Sequence, residues 1–133
     1  MSTETSAPIR SDLDIVAARQ KGRELAAELG FSATDLTLIA TAISELARNI
    51  VVYAKSGEIR VSRIEQADRK GIMIVARDRG PGIRSIRDAL RDGFSTSGSL
   101  GLGLPGVKRL MDEFEIESAD GRGTTVTVRK WQR

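Results

Sequence analysis

Seven of the chain's 13 glycines fall between Arg79 and Gly106. A regular helix or strand does not tolerate that density, because each glycine costs backbone entropy and leaves nothing to pack. A long loop or lid therefore interrupts the chain there, with one helical turn expected near Ser85–Arg91. The regular elements must lie on either side of it.

Before the lid, Ser11 stands three residues ahead of Asp14 at the start of an apolar-periodic run. That spacing predicts a capped helix from Asp12 to Leu29, closed by Gly30. Ser32 and Asp35 repeat the signature and open a longer helix, Ala33 to Ala54, with Gly57 just past its end. Two alternating runs follow, Glu58–Gln66 and Ile72–Arg77, joined by the polar turn 67–71, and they read as a hairpin. After the lid, a short helix is expected over Pro105–Glu113. Phe114–Ser118 and Thr124–Lys130 then form a second hairpin across the turn 120–123. This order predicts an α+β fold, a two-layer α/β sandwich with helices covering one face of a mixed, mostly antiparallel sheet. A chain of 133 residues, 40% of them hydrophobic, can bury one real core. Residues 1–8 read as a flexible N-terminal tail and residues 9–133 as a single domain.

Composition excludes several chemistries. The chain has no cysteine and no histidine, which removes disulfides, thiolate metal sites, Ser-His catalysis and self-phosphorylation on histidine. Its net charge is +3, but 21 basic residues are interleaved with 18 acidic ones and only five residues are aromatic. A nucleic-acid binder gathers its basic residues or offers stacking rings, so no nucleic-acid partner is expected. The N-terminus has neither a basic cluster nor an apolar stretch after it, and no run of roughly 18 apolar residues is evident. The expectation is a cytoplasmic protein that does not engage a membrane.

Three features carry possible chemistry. On the long helix, Ile39, Ile43, Leu46 and Ile50 share one stripe, which should face the core. Glu45 and Asn49 share another about 120° away, so a carboxylate and an amide project side by side from the edge of the buried face. A carboxylate there can accept a proton, and an amide oxygen suits Mg²⁺. The second feature is Asp78-Arg79-Gly80-Pro81-Gly82, directly after an apolar strand. Its glycines let the backbone turn sharply beside a ligand, and Asp78 can accept from an exocyclic amino group such as that of adenine. The third is Gly98-Ser99-Leu100-Gly101-Leu102-Gly103-Leu104 at the start of the short helix. Backbone N–H groups at such a start bind phosphate oxygens, and the approach Phe94-Ser95-Thr96-Ser97 adds hydroxyl donors.

Singly, each also fits an ordinary role: a polar pair on an amphipathic helix, a capped turn, a flexible loop. Together and in this order they arise by chance in fewer than roughly one such chain in a thousand. A rival pattern is the string Gly101-Leu102-Gly103-Leu104-Pro105-Gly106, with a helix behind it and Asp120 further on. A dinucleotide fingerprint needs a buried strand immediately before its first glycine, and Phe94–Leu100 is not one. No G-x-x-x-x-G-K-[ST] phosphate loop occurs.

These segments resemble the ATP-binding (Bergerat) fold shared by gyrase, Hsp90, histidine kinases and MutL. Glu45–Asn49 is similar to its N box, Asp78–Gly82 to its G1 box and Gly98–Leu104 to its G2 box. Gly123-Thr124-Thr125 is similar to its final strand. The likeness runs from about Ile9 to Trp131, which points to the small serine kinases of bacterial partner-switching pathways. Runs such as 14–20, 42–50, 92–98 and 103–112 carry that finer resemblance.

The resemblance implies a serine/threonine kinase that uses ATP and Mg²⁺. Asn49 would ligate Mg²⁺, Asp78 would bind the adenine amino group, and Thr125 would support adenine through water. Gly80 and Gly82 would shape the pocket. A lid including Ser95, Thr96, Ser97, Gly98, Gly101, Leu102, Gly103 and Leu104 would cover the phosphates, and Glu45 would take the proton from the attacking hydroxyl. Implied partners are STAS-domain antagonist and scaffold proteins of the stressosome as substrates, and a PP2C-type serine phosphatase activated after release. An anti-sigma factor kinase of the same fold and a non-catalytic, nucleotide-gated binding module are the alternatives. One departure is visible. Related anti-sigma kinases carry an arginine just before the second glycine of the G2 box, where this chain has Ser99 and Leu100. Either the missing charge comes from Arg48, Lys108 or the partner, or transfer is simply slow.

Overall fold

A computed structural model describes residues 3–80, 103–118 and 121–132. The first helix, α1 (Asp12–Glu28), starts where Asp14 accepts the Arg10 N–H at 2.8 Å; Ser11 itself makes no capping bond through its side chain. The second, α2 (Ala33–Tyr53), has the expected cap, with the Ser32 hydroxyl accepting the Asp35 N–H at 3.2 Å. Its predicted stripe is the centre of the core: Ile39, Ile43, Leu46 and Ile50 are all buried. The helix is long and apolar enough by length and composition to cross a membrane, contrary to the reading that no segment comes near that limit. Those apolar residues are instead used against the sheet and against α1.

Among the described residues five strands form one sheet: β1 (Glu4–Ile9), β2 (Gly57–Gln66), β3 (Arg69–Asp78), β4 (Glu113–Ser118) and β5 (Thr124–Trp131). Their order is β1-β2-β3-β5-β4, and every pairing is antiparallel. Ala7, Ile9, Ile59, Val61, Ile72, Ile74, Ala76, Val126 and Val128 alternate toward one face, and α1 and α2 cover it. The third helix, α3 (Gly103–Leu110), packs on α2. The α+β sandwich read from the sequence is the fold observed.

Most boundaries shift by one or two residues, and three differ by more. Residues 4–8, expected in a flexible tail, belong to β1, which pairs with β2 from Glu4↔Ser62 to Ile9↔Gly57. An edge strand needs hydrogen bonds on one side only, so it accepts Pro8 and reads weakly in sequence. The turn of the first hairpin is Ala67-Asp68, with Ala67 at φ +54°, because Arg69 and Lys70 extend the ladder opposite Gln66 and Glu65. The short helix ends at Leu110 rather than Glu113, since Asp112 already bonds to β5: its N–H donates to Arg129 O and its carboxylate accepts the Trp131 N–H. The buried Lys130 ammonium caps the end of that helix, donating to Leu110 O at 2.9 Å.

Candidate functional site

The first feature, on α2, comes out as the spacing requires. Glu45 is buried at the edge of the core and Asn49 is half-buried one turn further on. The Glu45 carboxylate is held at both oxygens. Oε1 accepts from the Arg48 guanidinium at 3.0 Å, and Oε2 accepts from the Gly103 N–H at 3.3 Å. Glu45 therefore joins α2 to the start of α3, where the third motif ends. Gly103, at φ +68°, carries the backbone into α3 with an N–H aimed at this carboxylate. Among the described residues the Asn49 side chain makes no hydrogen bond, so its amide oxygen is available.

The second feature closes the other side. Asp78 ends β3, and its Oδ1 accepts the N–H of Gly80 at 2.9 Å and the N–H of Thr124 at 3.2 Å. One carboxylate oxygen thus shapes the turn after β3 and ties it to the start of β5, while Oδ2 accepts no bond from the described residues. Two glycines are required here by close approach. A Cβ at Gly80 would lie 2.6 Å from Ala54 Cβ at the end of α2. A Cβ at Gly123, which sits at φ +82°, would lie 2.3 Å from Asp78 O. The backbone after β3 therefore lies flat against α2 on one side and against β5 on the other.

Glu45 and Asn49 thus lie on the C-terminal half of α2, with Gly103 against Glu45, and with Gly80 and the adjoining Asp78 at the helix end by Ala54. The Leu104 side chain is buried in the core, so what it can offer a ligand there is its backbone N–H. Thr125 is not brought to Asp78 either. It pairs with Arg77 on the strand ladder and shares the open face of the sheet with Thr127, whereas Thr124, Val126 and Val128 alternate to the helix side. Thr124 is the residue the sequence reading missed, and the alternation of Val126 and Val128 was the signal that could have found it. Gly82, Ser95, Thr96, Ser97, Gly98, Gly101 and Leu102 lie outside the described residues, as does the helical turn expected at 85–91.

A paired carboxylate and amide on a core helix, an aspartate at a strand end and a helix N-terminus, grouped on an α/β sandwich, define a nucleotide-binding ATPase domain. A family model described as "Histidine kinase-like ATPase domain" matches residues 9–130, and the chain belongs to that family. More particularly, it is similar to the serine/threonine-protein kinase RsbT of Bacillus subtilis (strain 168), with 53% identity over 133 residues and 100% of both chains covered. That likeness makes it an RsbT-type serine/threonine kinase that binds ATP. It is also 32% identical to an anti-sigma F factor of Caldanaerobacter subterraneus over 119 residues, 86% of this chain and 82% of that one.

Solved structures share the fold at lower identity. One is the RsbU and RsbW domains of a Mycobacterium tuberculosis protein, with TM-score 0.69, 23% identity, and 99% of this chain and 33% of that one covered. Another is the mycobacterial sensor histidine kinase MprB, with TM-score 0.58, 18% identity, and 97% and 99% covered.

Proposed function

We propose that the chain is the Mg-ATP-dependent kinase of a bacterial partner-switching stress pathway, acting in the cytoplasm on a serine or threonine of a STAS-domain partner. The observation that carries this reading is the placement of Glu45, a buried carboxylate on the first N–H of α3. An N–H group that holds one anion there is suited to holding a phosphate oxygen. The carboxylate beside it is placed to take a proton from a hydroxyl attacking that phosphate. Asp78 Oδ2 is the acceptor for the adenine amino group. Asn49 supplies one oxygen to Mg²⁺, and phosphates and water supply the rest. No cluster of three acidic or other ligating side chains occurs among the described residues, which suits a Mg²⁺ ion carried in with the nucleotide. When bound, ATP and Mg²⁺ supply the phosphoryl group and most of the charge neutralisation. The protein positions the hydroxyl, the phosphates and the proton acceptor.

Labelled ATP incubated with the protein and a STAS-domain partner tests the reading. Transfer to the partner is expected, and none above background would overturn it. Glu45→Ala is expected to leave ATP affinity nearly intact and to slow transfer by on the order of 10²-fold or more. An unchanged rate rules Glu45 out as the base. The likeness to an anti-sigma F factor favours one second reading, an anti-sigma factor kinase. Capture of a sigma factor rather than a PP2C-type serine phosphatase by the purified protein would decide for it.

A further inference from the structure

The proposed base is held by a cation, the Arg48 guanidinium. A cation that fixes the base must reach α2 beside Glu45 and lie close to the start of α3. The stretch from Gly93 to Val107 contains no lysine or arginine. Lys108, the next basic residue, lies in the exposed last turn of α3. At 1.5 Å per residue it is about 7.5 Å along the helix from Gly103 and at the wrong end of it. Arg48 is different. It stands one turn from Glu45 and directly before Asn49 on α2, with its guanidinium 3.0 Å from Glu45 Oε1.

We propose that Arg48 is a positioning residue for phosphoryl transfer: by holding Oε1 of Glu45 it fixes the carboxylate so that Oε2 faces the start of α3, where the phosphates bind. This rests on the reading of Glu45 as the base. A glutamate has three rotatable side-chain bonds, and only a narrow range of them aims an oxygen at a hydroxyl in line with the γ-phosphorus. Without Arg48 the remaining described contact is the 3.3 Å bond to the Gly103 N–H. That group is the very donor the phosphates would compete for. Arg48 therefore keeps the base oriented when nucleotide takes the N–H group away. The planar guanidinium suits the task, because its donors are fixed relative to one another.

The Arg48 side chain is 41% exposed and that of Glu45 only 9%, so losing the pair costs some folding stability, while the larger effect belongs in the rate. The test measures single-turnover transfer from labelled ATP to a purified STAS-domain protein, ATP affinity by calorimetry and thermal melting. The variants are Arg48→Ala, Arg48→Lys, Glu45→Ala and the double variant Glu45→Ala/Arg48→Ala. Arg48→Ala is expected to transfer roughly 10- to 100-fold more slowly, with ATP affinity close to wild type and a fully folded protein at assay temperature despite a lower melting temperature. Arg48→Lys should recover part of the rate. The double variant should be no slower than Glu45→Ala alone, because a residue that acts through another adds nothing once the other is gone.

Losses that multiply in the double variant overturn the proposal, since Arg48 would then act on the phosphoryl group directly. A fall in melting temperature that matches the fall in rate, with no recovery by lysine, also overturns it. Arg48→Ala at the wild-type rate beside a slow Glu45→Ala overturns this inference alone. Glu45→Ala at the wild-type rate overturns the base assignment and this inference with it.

Discussion

Asp78 has one oxygen committed to structure and, on the reading proposed above, one for recognition. Oδ1 is engaged by two backbone donors, Gly80 and Thr124, while Oδ2 accepts no bond from the described residues. Asparagine is nearly isosteric and can keep a carbonyl oxygen in the Oδ1 place, with an NH₂ group in place of Oδ2. That group cannot accept from an adenine amino group and sets two donors against each other. Asp78→Asn is therefore expected to fold with a near-normal melting temperature but to bind ATP about 10- to 100-fold more weakly, the worth of a hydrogen bond to a charged group. Calorimetry that finds normal affinity would remove Asp78 from the pocket. The same locality explains the misplaced threonine. Whether 124 or 125 faces the site depends only on strand phase, and a one-residue shift turns a side chain to the other face. Glu45 and Asn49 were legible because helical spacing fixes their face without any knowledge of neighbours. The bond to Gly103 was not, since it spans 58 positions, whereas the pairing with Arg48 went unread although its spacing of three is helical.

At the level of elements, local signals served where the element makes its own bonds. The cap at Ser32 is built from residues three apart, and α2 begins as the sequence indicates. Strand β1 shows the opposite case. Glu4-Thr5-Ser6-Ala7-Pro8-Ile9 has two apolar residues and a proline, too little to mark a strand. What makes it one is the free edge of β2 together with a core that receives Ala7 and Ile9, both buried. A tail and a strand predict different costs for one substitution. If residue 9 only began the domain behind a loose tail, Ile9→Ala would be nearly silent. As a core residue with no exposed surface, it should cost roughly 2–5 kcal/mol. Urea unfolding checks this: a lower midpoint with an unchanged slope is expected. An unchanged midpoint would return residues 4–8 to the tail.

Across the whole molecule, the two hairpins were legible but their assembly was not. β5 comes between β3 and β4, so the pairing of β3 with β5 joins the halves of the chain on either side of the glycine-rich stretch. That long-range pairing sets the start of β5 against the end of β3. α2 lies along both halves, with Gly80 against Ala54 and Gly103 against Glu45, about 13.5 Å of helix apart. The site is consequently a junction of α2, α3, β3 and β5 rather than a feature of any one of them. A ligand seated there would contact all four only when the chain is folded, and binding to the native state alone raises stability by RT ln(1 + [L]/Kd). At a hundredfold excess over Kd this is about 2.7 kcal/mol, on the order of 10 °C in melting temperature for a domain of this size. Mg-ATP is therefore expected to raise the midpoint in a concentration-dependent way. Glu45→Ala should keep most of the rise, because its loss falls on the proton rather than on the nucleotide. Asp78→Asn, at the same ATP concentration, should lose most of it. A wild-type midpoint indifferent to Mg-ATP would mean that the junction is not the nucleotide site. Equal loss in both variants would mean that Glu45 holds nucleotide rather than a proton.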